Sequence, residues 1–252
     1  MNTGAEPKRD EGAVMRAVRF WLPVLILVVL VRTLLFQPFH IPSESMMATL
    51  LVGDSLFVSK FSYGYSHYSL PFSPPLFSGR ILGANPRRGD IVVFRLPRDD
   101  SVDLIKRVIG VPGDRVQMIA GHLHLNGEPV KRERIEDFVD DEEVPGSAVH
   151  IRRWRETLPN GASYTTLDLL DNGPLDDTPI YEVPPGHFFM MGDNRDDSTD
   201  SRVLDEVGYV PLENIIGRAE IIYFSIGYGA AAWQLWRWPT SLRLSRFFSV
   251  LR

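Results

Sequence analysis

The 252-residue chain contains no cysteine, which removes disulfides, thiolate nucleophiles and thiolate metal sites together. Compartment stays open, because an extracytoplasmic domain with a large enough core needs no disulfide. Nor is there a basic excess: 27 Lys and Arg against 32 Asp and Glu leave a net charge of -5, so nucleic acid is not expected as a principal partner. Histidine is sparse and dispersed. His122 and His124 alternate in a strand-like run, but no third ligand follows at a recognisable spacing, so neither a metal site nor a cofactor is expected.

What the chain has in quantity is apolar surface, 44% hydrophobic residues, enough for one sizeable core or two modest ones. Residues 1–18 read as a polar cytoplasmic leader. From Phe20 to Phe36 the sequence is apolar except for Arg32, Thr33 and a tolerated Pro23, at the short end of the roughly 17–25 residues a spanning helix needs. Residues 19–36 are therefore expected to form one transmembrane anchor, with Arg32 near its far end reaching the headgroups. Lys8, Arg9, Arg16 and Arg19 precede the run, and beyond it no Lys or Arg occurs until Lys60. That asymmetry puts the N-terminus inside and the rest outside. A cleaved signal peptide is the alternative, but Gln37-Pro38-Phe39-His40 after Phe36 offers no small-x-small site; a buried core helix is a third reading.

Just beyond the anchor, Pro42-Ser43-Glu44-Ser45-Met46 carries two hydroxyls two positions apart. Ile41 before proline is biased toward extended backbone, and in an extended segment Ser43 and Ser45 would share one side. One hydroxyl could then attack a carbonyl while the other, with a backbone N–H, donates to the resulting oxyanion. The plain alternative is a pair of loop serines capping a turn.

Further strands are expected at Ser55–Ser59, Ile91–Phe94, Asp103–Gly110, His187–Met191 and within Val210–Phe224. In the third of these, Lys106 shares a face with Leu104 and Val108. Burial there would lower its pKa and permit a neutral general base, although a stem that packs with its ammonium in water is the commoner outcome. Asn126-Gly127 signals a hairpin. Phe61 to Arg88, rich in Tyr, Phe, Pro, Ser and Gly, reads as an irregular loop, either resting in the membrane interface or packed on its own aromatics. Lys131–Glu143 is charged and expected to be a solvated connection, and 116–184 as a whole a β-rich insertion without chemistry.

Gly192-Asp193-Asn194-Arg195-Asp196-Asp197-Ser198-Thr199-Asp200-Ser201-Arg202 follows the His187–Met191 strand. Asp196, Ser198 and Asp200 match the first alternating positions of a calcium loop, but Ser201 and Val207 stand where its glycine and bidentate glutamate are needed. A tight loop whose acids and arginines pair with one another is the simpler reading. The tail, 229–252, mixes Trp233, Trp236, Trp238, Phe247 and Phe248 with Arg237, Arg243, Arg246 and Arg252 and contains no acid. It is expected at an anionic lipid surface, a helix packed on its own domain being the rival.

Four segments, Pro42–Leu50, Arg88–Phe94, Ile105–Asp114 and Met191–Arg202, resemble in order the bacterial type I signal peptidases, the leader peptidases of the S26 serine-lysine proteases. The resemblance implies a mainly β, barrel-like catalytic domain, 37–115 and 185–228, interrupted by the insertion. It implies an inner-membrane endopeptidase that removes signal peptides from secretory preproteins after small residues. Residue by residue it implies a nucleophile at Ser45, a general base at Lys106, an oxyanion hydroxyl at Ser43 and a lysine-orienting hydroxyl at Ser198. Asp193, Arg195, Asp200 and Arg202 would support the catalytic loop, and Phe39, Ile41, Pro42, Met46, Leu50 and Ile105 would contact substrate. Glu44, Ala48 and Asp197 depart from the family's common glycine, proline and asparagine. A self-cleaving repressor, similar in its Ser-Lys pair, would need a helix-turn-helix where this chain has its apolar run. A catalytically dead tethered β module would be favoured by loss of Ser45 or Lys106, and both are present.

Overall fold

The structure, a computed structural model, describes residues 12–140, 149–227 and 234–251. Residues 1–11 of the expected leader, 141–148 of the expected insertion, and 228–233 and Arg252, which include the start and the last residue of the expected tail, lie outside the described residues. The apolar run forms α1 (Ala13–Leu34). Val14–Leu34 has a mean hydropathy of 2.2 and none of it is buried; at about 1.5 Å per residue such a helix reaches across a hydrocarbon core of roughly 30 Å. It starts before the expected 19–36 and stops short of Phe36. Leu35 instead turns the chain into the first strand, its carbonyl accepting the Lys60 N–H at 3.0 Å.

The remainder is mainly β, as expected. In chain order the strands are β1 (Phe36–His40), β2 (Asp54–Ser59), β3 (Ile91–Leu96), β4 (Asp99–Gly110), β5 (Arg115–Ile119), β6 (His122–Leu125), β7 (Glu128–Pro129), β8 (Lys131–Asp140), β9 (Val149–Thr157), β10 (Ser163–Asp168), β11 (Tyr181–Glu182), β12 (His187–Met191), β13 (Val210–Pro211), β14 (Ile215–Ser225) and β15 (Ser249–Val250). One antiparallel sheet runs β1-β2-β14-β3-β4-β12-β13, with β15 added on β14. Two smaller sheets, β10-β9-β8 and β11-β5-β6-β7, hold most of 116–184. Asn126 and Gly127 both take positive φ, 58° and 88°, as the tight β6–β7 hairpin requires.

β4 is the spine. From Ile105 to Gly110 every residue is buried, because both of its faces are covered: Ile105 joins Ile91, Val93, Leu56 and Val58 in one apolar cluster, while Val108 joins Val92, Phe94, Phe188 and Met190 in another. Lys106 sits in the middle of this stretch, opposite Val92 on β3. Neighbouring β12 pairs Met191 with Arg107 and then delivers the chain into Gly192.

Lys131–Asp140 is a strand, not the solvated connection its charges suggested. It is the outer strand of its sheet, where charged side chains are tolerated and discourage further pairing. Cross-strand partners complement it, Glu133 opposite Arg155 and Arg134 opposite Trp154. The tail does lie against its own domain, but through β15 and a single turn of helix, α2 (Trp238–Ser241), not as a long helix. Arg246 donates twice to the fully buried Asp54 (3.0 and 2.5 Å), and Arg243 donates to the Val52 carbonyl at 2.9 Å. Trp236 and Phe248 remain exposed.

Candidate active site

β1 and β2 are joined by residues 41–53, a loop closed at its base by Ile41 N–H to the Asp54 carbonyl (2.8 Å) and Gly53 N–H to the Ile41 carbonyl (3.0 Å). Inside it the backbone turns and does not extend: Met47 N–H reaches the Glu44 carbonyl at 2.9 Å and Leu50 N–H the Met46 carbonyl at 2.8 Å. The expectation of an extended Ser43–Ser45 pair on one side fails for that reason. Ser45 is buried and Ser43 is exposed. Among the described residues neither Ser43 Oγ nor the Ser45 N–H has a hydrogen-bond acceptor within the chain, so both are open to another group.

Lys106 Nζ donates to Ser45 Oγ at 2.6 Å. The side chain is 3% exposed, so the amine does not reach water as an ordinary strand lysine would. Burial lowers its pKa to about 8, against the opposing pull of Asp200, Asp193 and Asp197.

Gly192 lies between Ser45 of the 41–53 loop and Ser198 of its own loop. A Cβ there would fall 2.2 Å from Ser198 Oγ and 2.5 Å from the Ser45 carbonyl oxygen, so only glycine admits both. Ser198 Oγ donates to Asp200 Oδ2 at 2.8 Å. Asp200 also accepts the Gly192 N–H at 2.9 Å and both Nε and a terminal nitrogen of Arg202 at 2.8 and 2.9 Å. Its complete burial opposes ionisation, but the Arg202 charge and these donors outweigh that and hold the carboxyl below the ordinary range. Asn194 N–H ties the loop to the Ser45 carbonyl at 3.1 Å.

The arginines and aspartates do not all pair within the loop. Asp193 takes a bidentate contact from Arg107 (2.8 and 2.7 Å) and the Thr49 hydroxyl at 2.5 Å, while Arg195 pairs with Glu156 of β9. Arg107 also stacks over the Tyr164 ring, 4.3 Å from its centroid. Sequence reasoning missed Arg107, Glu156 and Tyr164, because the partners come from β4, β9 and β10. Only Arg107 left a visible trace, a charge within the buried apolar part of β4. Of the substrate-contact candidates, Ile41, Met46, Leu50 and Ile105 meet in one apolar cluster with Phe39 packed against it, whereas Pro42 is exposed. No group of three or more metal-ligating side chains occurs among the described residues.

The family model described as "Signal peptidase, peptidase S26" matches residues 14–224, and so spans every group described above except the tail. The chain belongs to this family. Among S26 relatives, signal peptidase I of Rickettsia massiliae strain Mtu5 is 41% identical over 99% of this chain and 95% of its own. That of Rickettsia typhi strain Wilmington is 40% identical over 90% of each. A crystal structure of a signal peptidase I from Enterococcus faecalis V583 is 26% identical and covers 54% of this chain and 97% of its own, at a TM-score of 0.31. Membership in the S26 signal peptidases makes the chain a peptide-bond hydrolase.

Proposed function

We propose that the protein is a membrane-anchored endopeptidase that removes signal peptides from preproteins with Ser45 as nucleophile and Lys106 as general base. The observation that carries the reading is the buried Lys106 amine 2.6 Å from Ser45 Oγ. As the free amine, Nζ accepts the hydroxyl proton while Oγ adds to the scissile carbonyl carbon. The negative charge then develops on the carbonyl oxygen, for which the Ser45 N–H and the Ser43 hydroxyl are the available donors. The Lys106 ammonium returns its proton to the departing amine, leaving an ester on Ser45. Water, giving a proton to the same lysine, hydrolyses that ester. Ser198, whose own hydroxyl proton goes to Asp200, keeps its oxygen lone pairs to orient the amine without adding charge.

The apolar cluster beside Ser45 fits small side chains ahead of the cut. α1 anchors the domain in a bacterial inner membrane as a single pass with the catalytic side outward, in keeping with the basic residues ahead of it. The exposed Trp236 and Phe248 of the tail suit the lipid interface. Incubating the purified protein and its Ser45→Ala variant with a preprotein tests the reading. Cleavage by the first and none by the second is expected; equal cleavage would refute it.

A further inference from the structure

A cavity of about 450 Å3 opens where α1 meets the catalytic sheet. The α1 face Leu25, Val28 and Val29 forms one wall, and the loop residues Tyr68 and Leu70 form another. Three cations share this apolar space: Arg32 from the last turn of α1, Lys60 and Arg95. Lys60 is 4% exposed and its Nζ donates to the Ser69 carbonyl at 2.8 Å. Arg95 is paired to Asp103 at 3.1 Å. Among the described residues Arg32 has no ion-pair partner, so one paired carboxylate faces three positive charges. Burial, and next the Arg32 charge, depress the Lys60 pKa to about 8, which marks a place where positive charge is held against its preference.

An anion in the cavity would relieve that charge. A free phosphate would have no use for the apolar wall, and a neutral chain would leave the cations unanswered. Only an amphiphile with an anionic head satisfies both. The wall is moreover a face of the helix that crosses the bilayer, with its cation at the end where headgroups lie. We propose that this cavity holds one anionic phospholipid, its phosphate against Lys60 and Arg32 and an acyl chain along Leu25, Val28 and Val29. The proposal rests on α1 being a membrane anchor and is independent of the Ser45–Lys106 chemistry, so failure of one leaves the other standing.

Native mass spectrometry of the full chain in detergent, titrated with phosphatidylglycerol or phosphatidylcholine, tests it. One phosphatidylglycerol should be retained per chain and phosphatidylcholine lost. Lys60→Gln and Arg32→Gln should each weaken retention about fivefold, the worth of one cation near a charged headgroup. Arg98→Gln, an exposed residue outside the cavity, should not. Arg32→Gln lies on an exposed helix surface and keeps the test valid if Lys60→Gln folds poorly. Unchanged retention in Arg32→Gln and Lys60→Gln would overturn the proposal. So would displacement of the lipid by millimolar inorganic phosphate, which would make this a free-anion site. Variants that keep the lipid but raise KM for a preprotein would assign the cavity to the substrate's apolar segment instead.

Discussion

Glu156 of β9 receives both terminal nitrogens of Arg195, at 3.1 and 2.6 Å, in a pair almost wholly shut off from solvent. Arg195 Nε in turn donates to the Gly192 carbonyl at 3.2 Å. A residue of β9 thereby fixes the glycine that separates Ser45 from Ser198. The backbone of Leu167 on β10 repeats the link, giving its N–H to the Asp193 carbonyl at 2.9 Å and accepting the Arg195 N–H at 3.0 Å.

Glu156→Gln keeps the shape but leaves a buried guanidinium without its counter-charge. The expected loss is about 3–5 kcal/mol of stability, read by chemical denaturation. A loss under about 1 kcal/mol, the size of a surface pair, would mean that water already reaches Arg195.

Gly192→Ala should lower kcat by roughly 100-fold, the effect of displacing reacting groups by about 1 Å, because the new methyl must push apart Ser198 and the Ser45 carbonyl. Steady-state kinetics with KM held apart from kcat reads this directly. Unimpaired kcat would show that the loop yields freely.

The pH profile follows from Lys106. With a pKa near 8 about a tenth of the amine is neutral at pH 7, against well under a thousandth for an unperturbed lysine. A base must be deprotonated to act, so kcat/KM should climb about tenfold per pH unit below 8 and level off above it. Lys106→Arg, permanently charged, should be as inactive as Lys106→Ala. An acidic limb near 6.5 that persists in Lys106→Ala would point to a histidine.

If Ile41, Met46, Leu50, Ile105 and Phe39 receive the substrate, a preprotein with Phe just before the cut should be processed roughly 10–100-fold more slowly than one with Ala, since the cluster would be overpacked. Processing rates in parallel assays decide this. Equal rates would remove these residues from the substrate site.

If the cations ahead of α1 hold the N-terminus inside, protease added to intact spheroplasts should digest the β domain. A protected domain detected by immunoblotting would reverse the orientation.

The long apolar helix and the buried strands, among them the one that carries Lys106, were legible because each is a local pattern: an apolar run or a β-branched stretch. Whatever depends on distant pairing was not. Nothing near Glu156 distinguishes it from the exposed acids of β8, since its partner Arg195 lies 39 residues away in another element. Likewise β8 was hidden by its charges, because a strand at a sheet margin needs cross-strand complementarity rather than apolar alternation. Ser43 and Ser45 were expected side by side from an extended backbone. The 41–53 loop turns instead, and it is the contact with Lys106 that selects one hydroxyl.

Asp54 also has a consequence in time. Its carboxylate waits for Ser225, 171 residues later, and for Arg246, 192 residues later. At ribosomal speeds of about 5–20 residues per second, roughly 10–40 s separate the synthesis of Asp54 from that of Arg246. Through that interval a carboxylate destined for full burial has no counter-charge, and the turn that follows Ser45 cannot settle. A newly made chain thus completes its first helix and emerges from the ribosome before the base of the loop that carries Ser45 is braced, so the final packing of that loop trails its synthesis by a built-in delay.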